Sequence, residues 1–124
     1  MKIIIRADAN KTVSMGHVMR CLSIADVLKT LGASVLFVCA GSDAKELINK
    51  RGFDVSVLNT VFDKTLEELD KFTALIKEVN PNLIICDGYY FSSLYFKKIS
   101  KLAKTVYLDD YSKDAYPVDV LINY

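Results

Sequence analysis

The stretch Lys2-Ile3-Ile4-Ile5-Arg6-Ala7-Asp8-Ala9-Asn10 runs, four residues later, into Ser14-Met15-Gly16-His17-Val18-Met19-Arg20-Cys21, and the reading of this junction decides the fold. Lys2 to Ala7 is short, β-branched and apolar, the pattern of a strand buried on both faces. From Gly16 to about Leu31 the polar side chains Arg20, Ser23, Asp26 and Thr30 recur at helical steps, while Val18, Leu22, Ala25, Leu28 and Leu31 fill another face. Strand, polar loop and amphipathic helix open a βαβ unit, and the loop delivers the chain's single histidine to the start of the helix.

Outward from there the same alternation continues. Gly32 stops the first helix. Ser34 to Cys39 is a second strand, and a short helix through Lys50 follows, with Ser42 or Asp43 as its expected cap. Asp54 to Leu58 is a smaller strand, and Asp63 to Val79 a helix with Leu66, Leu69, Phe72, Leu75, Ile76 and Val79 along one side. Pro81 forbids its continuation. Asn82 to Cys86 is a strand, Phe91 to Ala103 a helix, Lys104 to Leu108 a strand, and Val118 to Ile122 a sixth strand after Pro117.

Strands and helices alternating at this spacing form right-handed βαβ units and a doubly wound, Rossmann-like parallel α/β sheet. In such sheets ligands sit beyond the carboxyl ends of the strands, near the reversal of strand order. The polar clusters at 6–14, 40–43, 87–90 and 109–111 all fall on that edge.

Composition narrows the function classes. A chain of 124 residues with 52% hydrophobic content is one domain able to bury its own core. Sixteen basic against fifteen acidic residues leave a net charge of +1, which offers no basic field for nucleic acid. The three cysteines are far apart and each lies in an apolar run, as buried reduced thiols do, so a cytoplasmic setting is expected. No run approaches the roughly 18 apolar residues of a membrane span, and no signal-peptide layout is present.

At the edge itself, a histidine at a helix N-terminus stands where the macrodipole disfavours imidazolium; it serves as a general base or simply packs. Arg20 is at the wrong end of that dipole unless an anionic ligand or a carboxylate such as Asp8 offsets it. Asp87-Gly88-Tyr89 follows a strand directly, so Gly88 either admits a ligand to the backbone or makes an ordinary turn, with Tyr89 adding a ring face and a hydroxyl. Asp109 and Asp110 read as loop hydrogen-bonders, and among the aromatics Phe91 and Tyr95 read as helix packing. With Gly16 as its one glycine, the first loop matches neither the dinucleotide fingerprint nor the P-loop, and no metal or cofactor is expected.

The run Arg6-Ala7-Asp8-Ala9 … Ser14-Met15-Gly16-His17-Val18-Met19-Arg20-Cys21-Leu22-Ser23-Ile24-Ala25 resembles the N-terminal signature of the UDP-sugar hydrolases of pseudaminic acid biosynthesis. These UDP-2,4-diacetamido-2,4,6-trideoxy-β-L-altropyranose hydrolases are related to spore-coat polysaccharide proteins and MurG-type glycosyltransferases. The resemblance extends to Asp87-Gly88-Tyr89, Leu108-Asp109-Asp110 and Asp119-Val120-Leu121-Ile122-Asn123, and departs at Ser14, where the family has glycine. It implies a GT-B architecture of two Rossmann-like domains, this chain being the N-terminal, sugar-side one, and the nucleotide being held by a C-terminal domain absent from it. It further implies that His17 activates water at the anomeric carbon, that Asp87 and Tyr89 line the sugar side, and that Gly16, Arg6, Asp8 and Arg20 shape the loop or meet the diphosphate. The partner is then a UDP-sugar. The alternatives are a glycosyltransferase domain of surface or spore-coat polysaccharide assembly and a non-catalytic sugar-binding half-module.

Overall fold

The computed structural model describes residues 1–109 and 116–123, the side chains of Asp109 and Asn123 excepted. Ten elements alternate along the chain: β1 (Lys2–Ala7), α1 (Gly16–Thr30), β2 (Ser34–Cys39), α2 (Lys45–Lys50), β3 (Asp54–Val57), α3 (Thr65–Val79), β4 (Leu83–Asp87), α4 (Ser93–Ile99), β5 (Lys104–Asp109) and β6 (Val120–Asn123). The strands form one sheet in the order β3-β2-β1-β4-β5-β6, every pair parallel. The fold is a Rossmann-like α/β domain, and the order reverses between β1 and β4.

Strand alternation distributes the core. Ile3, Ile5 and Ala7 of β1 face α1 and α2 with Val18, Cys21, Leu22, Ala25 and Ile48. Ile4, of opposite parity, faces α3 and α4 with Phe72, Ile76, Tyr95, Phe96 and Ile99. Ile3, Ile4 and Ile5 are at most 1% exposed, so each stabilises the fold by roughly 1.5–3 kcal/mol. Phe91, Tyr95, Phe96, Tyr107 and Tyr116 form a continuous aromatic cluster beneath β5. Cys21, Cys39 and Cys86 are buried free thiols.

The boundaries depart from the sequence reading where local chemistry intervenes. Ser92 Oγ accepts the Tyr95 N–H at 3.2 Å, so α4 begins after Ser92 instead of at Phe91. Neither Ser42 nor Asp43 caps α2; Ala44 is its N-cap, without a side-chain bond. In α3 the buried face is Thr65, Glu68, Phe72 and Ile76, while Leu66 is exposed. Asn80 closes α3 in the left-handed conformation, φ 52°, just before Pro81. Gly32, at φ +91°, turns the chain after α1. The roles expected of Asp109 and Asp110 lie outside the described residues.

Candidate active site

The site lies where β1 and β4 end side by side, Ala7 opposite Asp87 in the parallel register. A reversal of strand order opens a crevice at this edge because the two flanking crossovers depart to opposite faces. The first two turns of α1 supply the rest. His17, Arg20 and Cys21 stand at i, i+3 and i+4, one helical face, and all three reach the Asp87 carboxylate.

His17 Nδ1 lies 2.7 Å from Asp87 Oδ1. Arg20 Nε donates to Oδ2 at 2.7 Å, Arg20 Nη2 donates to Oδ1, and the Cys21 thiol donates to Oδ2 at 3.4 Å. Burial pushes the Asp87 carboxyl up, but the hydrogen bonds from His17 and Arg20 and the Arg20 charge hold it below the ordinary aspartate range. Asp87 is therefore an anion, 1% exposed, with both oxygens engaged. Burial, reinforced by the Asp87 charge, pushes the Cys21 thiol up, so it acts as a donor and not as a nucleophile.

Fixing Nδ1–H on Asp87 sets the tautomer of a neutral imidazole and leaves the lone pair on Nε2, to which no described residue hydrogen-bonds. The Tyr89 ring stands edge-on to the imidazole, centroids 4.6 Å apart, and restricts its swing. His17 lines two adjoining spaces. One is a cavity of about 10 Å³ lined by Asp8, His17, Asp87, Gly88 and aromatic side chains including Tyr89, Tyr90 and Phe62. The other is a more open hollow of about 200 Å³ bounded by Ser14, Gly16, His17, Arg20 and Tyr89.

Arg20 finds the carboxylate that offsets its position on the helix dipole, but the partner is Asp87 and not Asp8. Asp8 instead pairs with Arg6: Arg6 Nη1 is 2.9 Å from Asp8 Oδ1, which also accepts the Ala40 N–H at 2.7 Å. Arg6 is fully buried on the α3/α4 face, so it shapes the loop through Asp8 and presents nothing to a ligand. Its guanidinium donates to Glu68 at 2.8 and 2.6 Å, and Tyr95 donates to the same carboxylate at 2.7 Å.

Gly88 does not open the backbone to a ligand on its inner side. A Cβ there would come within 3.1 Å of the Phe91 ring, so the missing side chain makes room for an aromatic core residue. Gly16 is the first residue of α1, and a Cβ on it would meet only Ser14 Oγ, at 3.5 Å. Ser14 accepts the Gly16 N–H at 3.4 Å. Among the described residues the positive-φ non-glycine positions are Asn59 and Asn80, so Ser14 sits in a conformation open to any residue.

Of the seven residues singled out in the sequence, Asp8, Gly16, Arg20, Asp87 and Tyr89 surround His17, and Arg6 lies behind them across the sheet. Glu68, Tyr95 and the Cys21 thiol were missed. Only Glu68 carried a signal, an acid spaced four and eight residues before Phe72 and Ile76 on a buried helical face. Among the described residues no group of three His, Cys, Asp or Glu is placed to hold a metal ion, and no helix is long and apolar enough to cross a membrane.

No family model matches the chain. It is 27% identical over 128 residues to the uncharacterized protein MJ1062 of Methanocaldococcus jannaschii, covering 99% of this chain and 25% of that protein. The chain therefore spans about a quarter of that relative's length. Among solved structures it is similar to formyltetrahydrofolate deformylase from Burkholderia mallei, with a TM-score of 0.58, 13% identity, and coverage of 84% of this chain and 36% of that one. It is also similar to glycinamide-RNase-transformylase T from Mycobacterium tuberculosis, with a TM-score of 0.54, 18% identity, and coverage of 85% and 26%. At such identities the likeness is one of fold.

Proposed function

We propose that the chain is the N-terminal, sugar-side half of a nucleotide-sugar hydrolase of GT-B architecture, acting on a UDP-linked diacetamido-trideoxyhexose. The observation that carries this reading is the Asp87–His17 pair, which orients a base beside a water-sized space at the switch point of the sheet. His17 Nε2 takes a proton from water as the water oxygen bonds to the anomeric carbon. The bond from that carbon to the diphosphate oxygen breaks, and its electron pair leaves on UDP. Arg20 and the uncapped first turn of α1 border the open hollow, where donors suit the departing anion. Tyr89 packs on the imidazole and gives the sugar a ring face. The motif resemblance supplies the substrate class.

The test joins this chain to a C-terminal nucleotide-binding domain and supplies the UDP-sugar without an acceptor. Free sugar and UDP should appear, and His17→Ala should slow their release by about 10²-fold or more. Turnover only after addition of an acceptor alcohol would overturn hydrolysis in favour of glycosyl transfer. Unchanged turnover in His17→Ala would reduce the chain to a binding half-module. Alone, the chain should bind UDP weakly, and calorimetry giving micromolar affinity would overturn the division of the site between two domains.

A further inference from the structure

Asp8 lines the small cavity beside His17, and a diphosphate contact does not suit it there. A carboxylate repels a diphosphate, and Asp8 has no protein cation to spare for one, because Arg6 is sealed behind it. Its oxygens are used unequally. Oδ1 accepts the Ala40 N–H and faces the Arg6 guanidinium, whereas no described residue hydrogen-bonds Oδ2. The Asp8 side chain is 14% exposed, so the carboxylate is only partly shielded from water.

The polar groups bordering the cavity divide in the same way. Both Asp87 oxygens are taken, by His17, Arg20 and Cys21. Among the lining carboxylates and the imidazole, the acceptors to which no described residue hydrogen-bonds are Asp8 Oδ2 and His17 Nε2. A space of about 10 Å³ is the size of one water molecule, and two strong acceptors match the two hydrogens of one water. Val13, Phe62 and Phe91 make the apolar part of the remaining wall.

We infer that Asp8 is a second catalytic residue: its Oδ2 and His17 Nε2 together hold the attacking water, one hydrogen on each. This rests on the hydrolase reading and deepens it. Asp8 keeps the hydrogen it accepts as a hydrogen bond throughout. His17 removes the other as the oxygen bonds to the anomeric carbon, and the electron pair of the broken bond departs with UDP. Two acceptors fix the direction of the oxygen lone pair, which a single base leaves free to rotate; that orientation is Asp8's contribution. Glu68, Tyr95 and Arg6 act behind it as positioning residues, because they hold the guanidinium that holds Asp8.

The experiment has two arms. An atomic-resolution crystal structure of this chain should show one ordered water within hydrogen-bond distance of both Asp8 Oδ2 and His17 Nε2; a cavity without that bridge would overturn the inference. In the hydrolase assembled with its nucleotide-binding domain, Asp8→Asn should lower kcat by about 10²-fold with KM little changed. Wild-type kcat in Asp8→Asn would overturn the inference and leave the hydrolase in place, whereas absence of UDP release by the wild type overturns the hydrolase reading itself.

Discussion

Two arginine–carboxylate pairs cross the same edge of the sheet on opposite faces. Arg6–Glu68 joins β1 to α3 with both side chains 0% exposed, while Arg20–Asp87 joins α1 to β4 with the arginine 23% exposed. Both are two-point forks, and both carboxylates accept a third donor, Tyr95 on Glu68 and His17 on Asp87. The chemistry is shared and the surroundings are not. Tyr95 is wholly buried and ends its network, whereas His17 carries a second nitrogen that borders a cavity. A buried ion pair thus becomes a candidate active site when its third partner has an unused polar atom beside open space. Sealed, the same arrangement holds helices to a strand.

The largest effect should come from breaking the sealed pair. Glu68→Ala leaves the Arg6 guanidinium buried without its main partner and should destabilise the domain by about 3–5 kcal/mol, read from denaturant unfolding. A loss below about 1 kcal/mol would show that water reaches Arg6 and would erase the contrast between the pairs. His17→Ala tests the open pair from the other side. It should leave the unfolding free energy within about 1 kcal/mol of wild type while slowing the proposed hydrolysis about 10²-fold or more.

A graded effect is expected from pH. Asp87 titrates below its ordinary range in the folded chain, so its contribution to stability is complete above the unfolded value of about 3.9 and is lost as pH falls through the lower folded value. The stability gap between wild type and Asp87→Asn should therefore narrow from about pH 5 downwards. A gap that widens on acidification would reverse the sign assigned to the His17 and Arg20 contacts. Smallest among these, Ser92→Ala removes the α4 cap far from either pair and should cost about 1 kcal/mol.

The fold was legible because its evidence is repetitive. β1, β2, β4 and β5 are short, largely apolar runs ended by a polar cluster, and β1 and α1 agree with the sequence reading to within a residue. Boundaries slipped where one side chain decides them, as Ser92 does for α4. The open half of the site was legible too, because His17, Arg20 and Asp87 stand at element ends where polar residues are conspicuous. The sealed half was not. Arg6 reads as part of the polar loop until Glu68, 62 positions away, is placed against it, and no local pattern carries that pairing. Which carboxylate offsets Arg20 is not a local question either, for the same reason. Asp8 is near it in sequence, but the parallel pairing of β1 with β4 brings Asp87 nearer in space.

Three α1 side chains converge on one Asp87 carboxylate, and this couples positions 17, 20, 21 and 87 energetically. A change at Asp87 strands three donor side chains at once, whereas a change at His17 or Cys21 removes one bond and a change at Arg20 removes two. Residues coupled in this way give non-additive double mutants. Under drift the four should behave as one linked character: the carboxylate is the last to vary, Cys21, with the longest contact, is the first, and substitutions tolerated in one background fail in another.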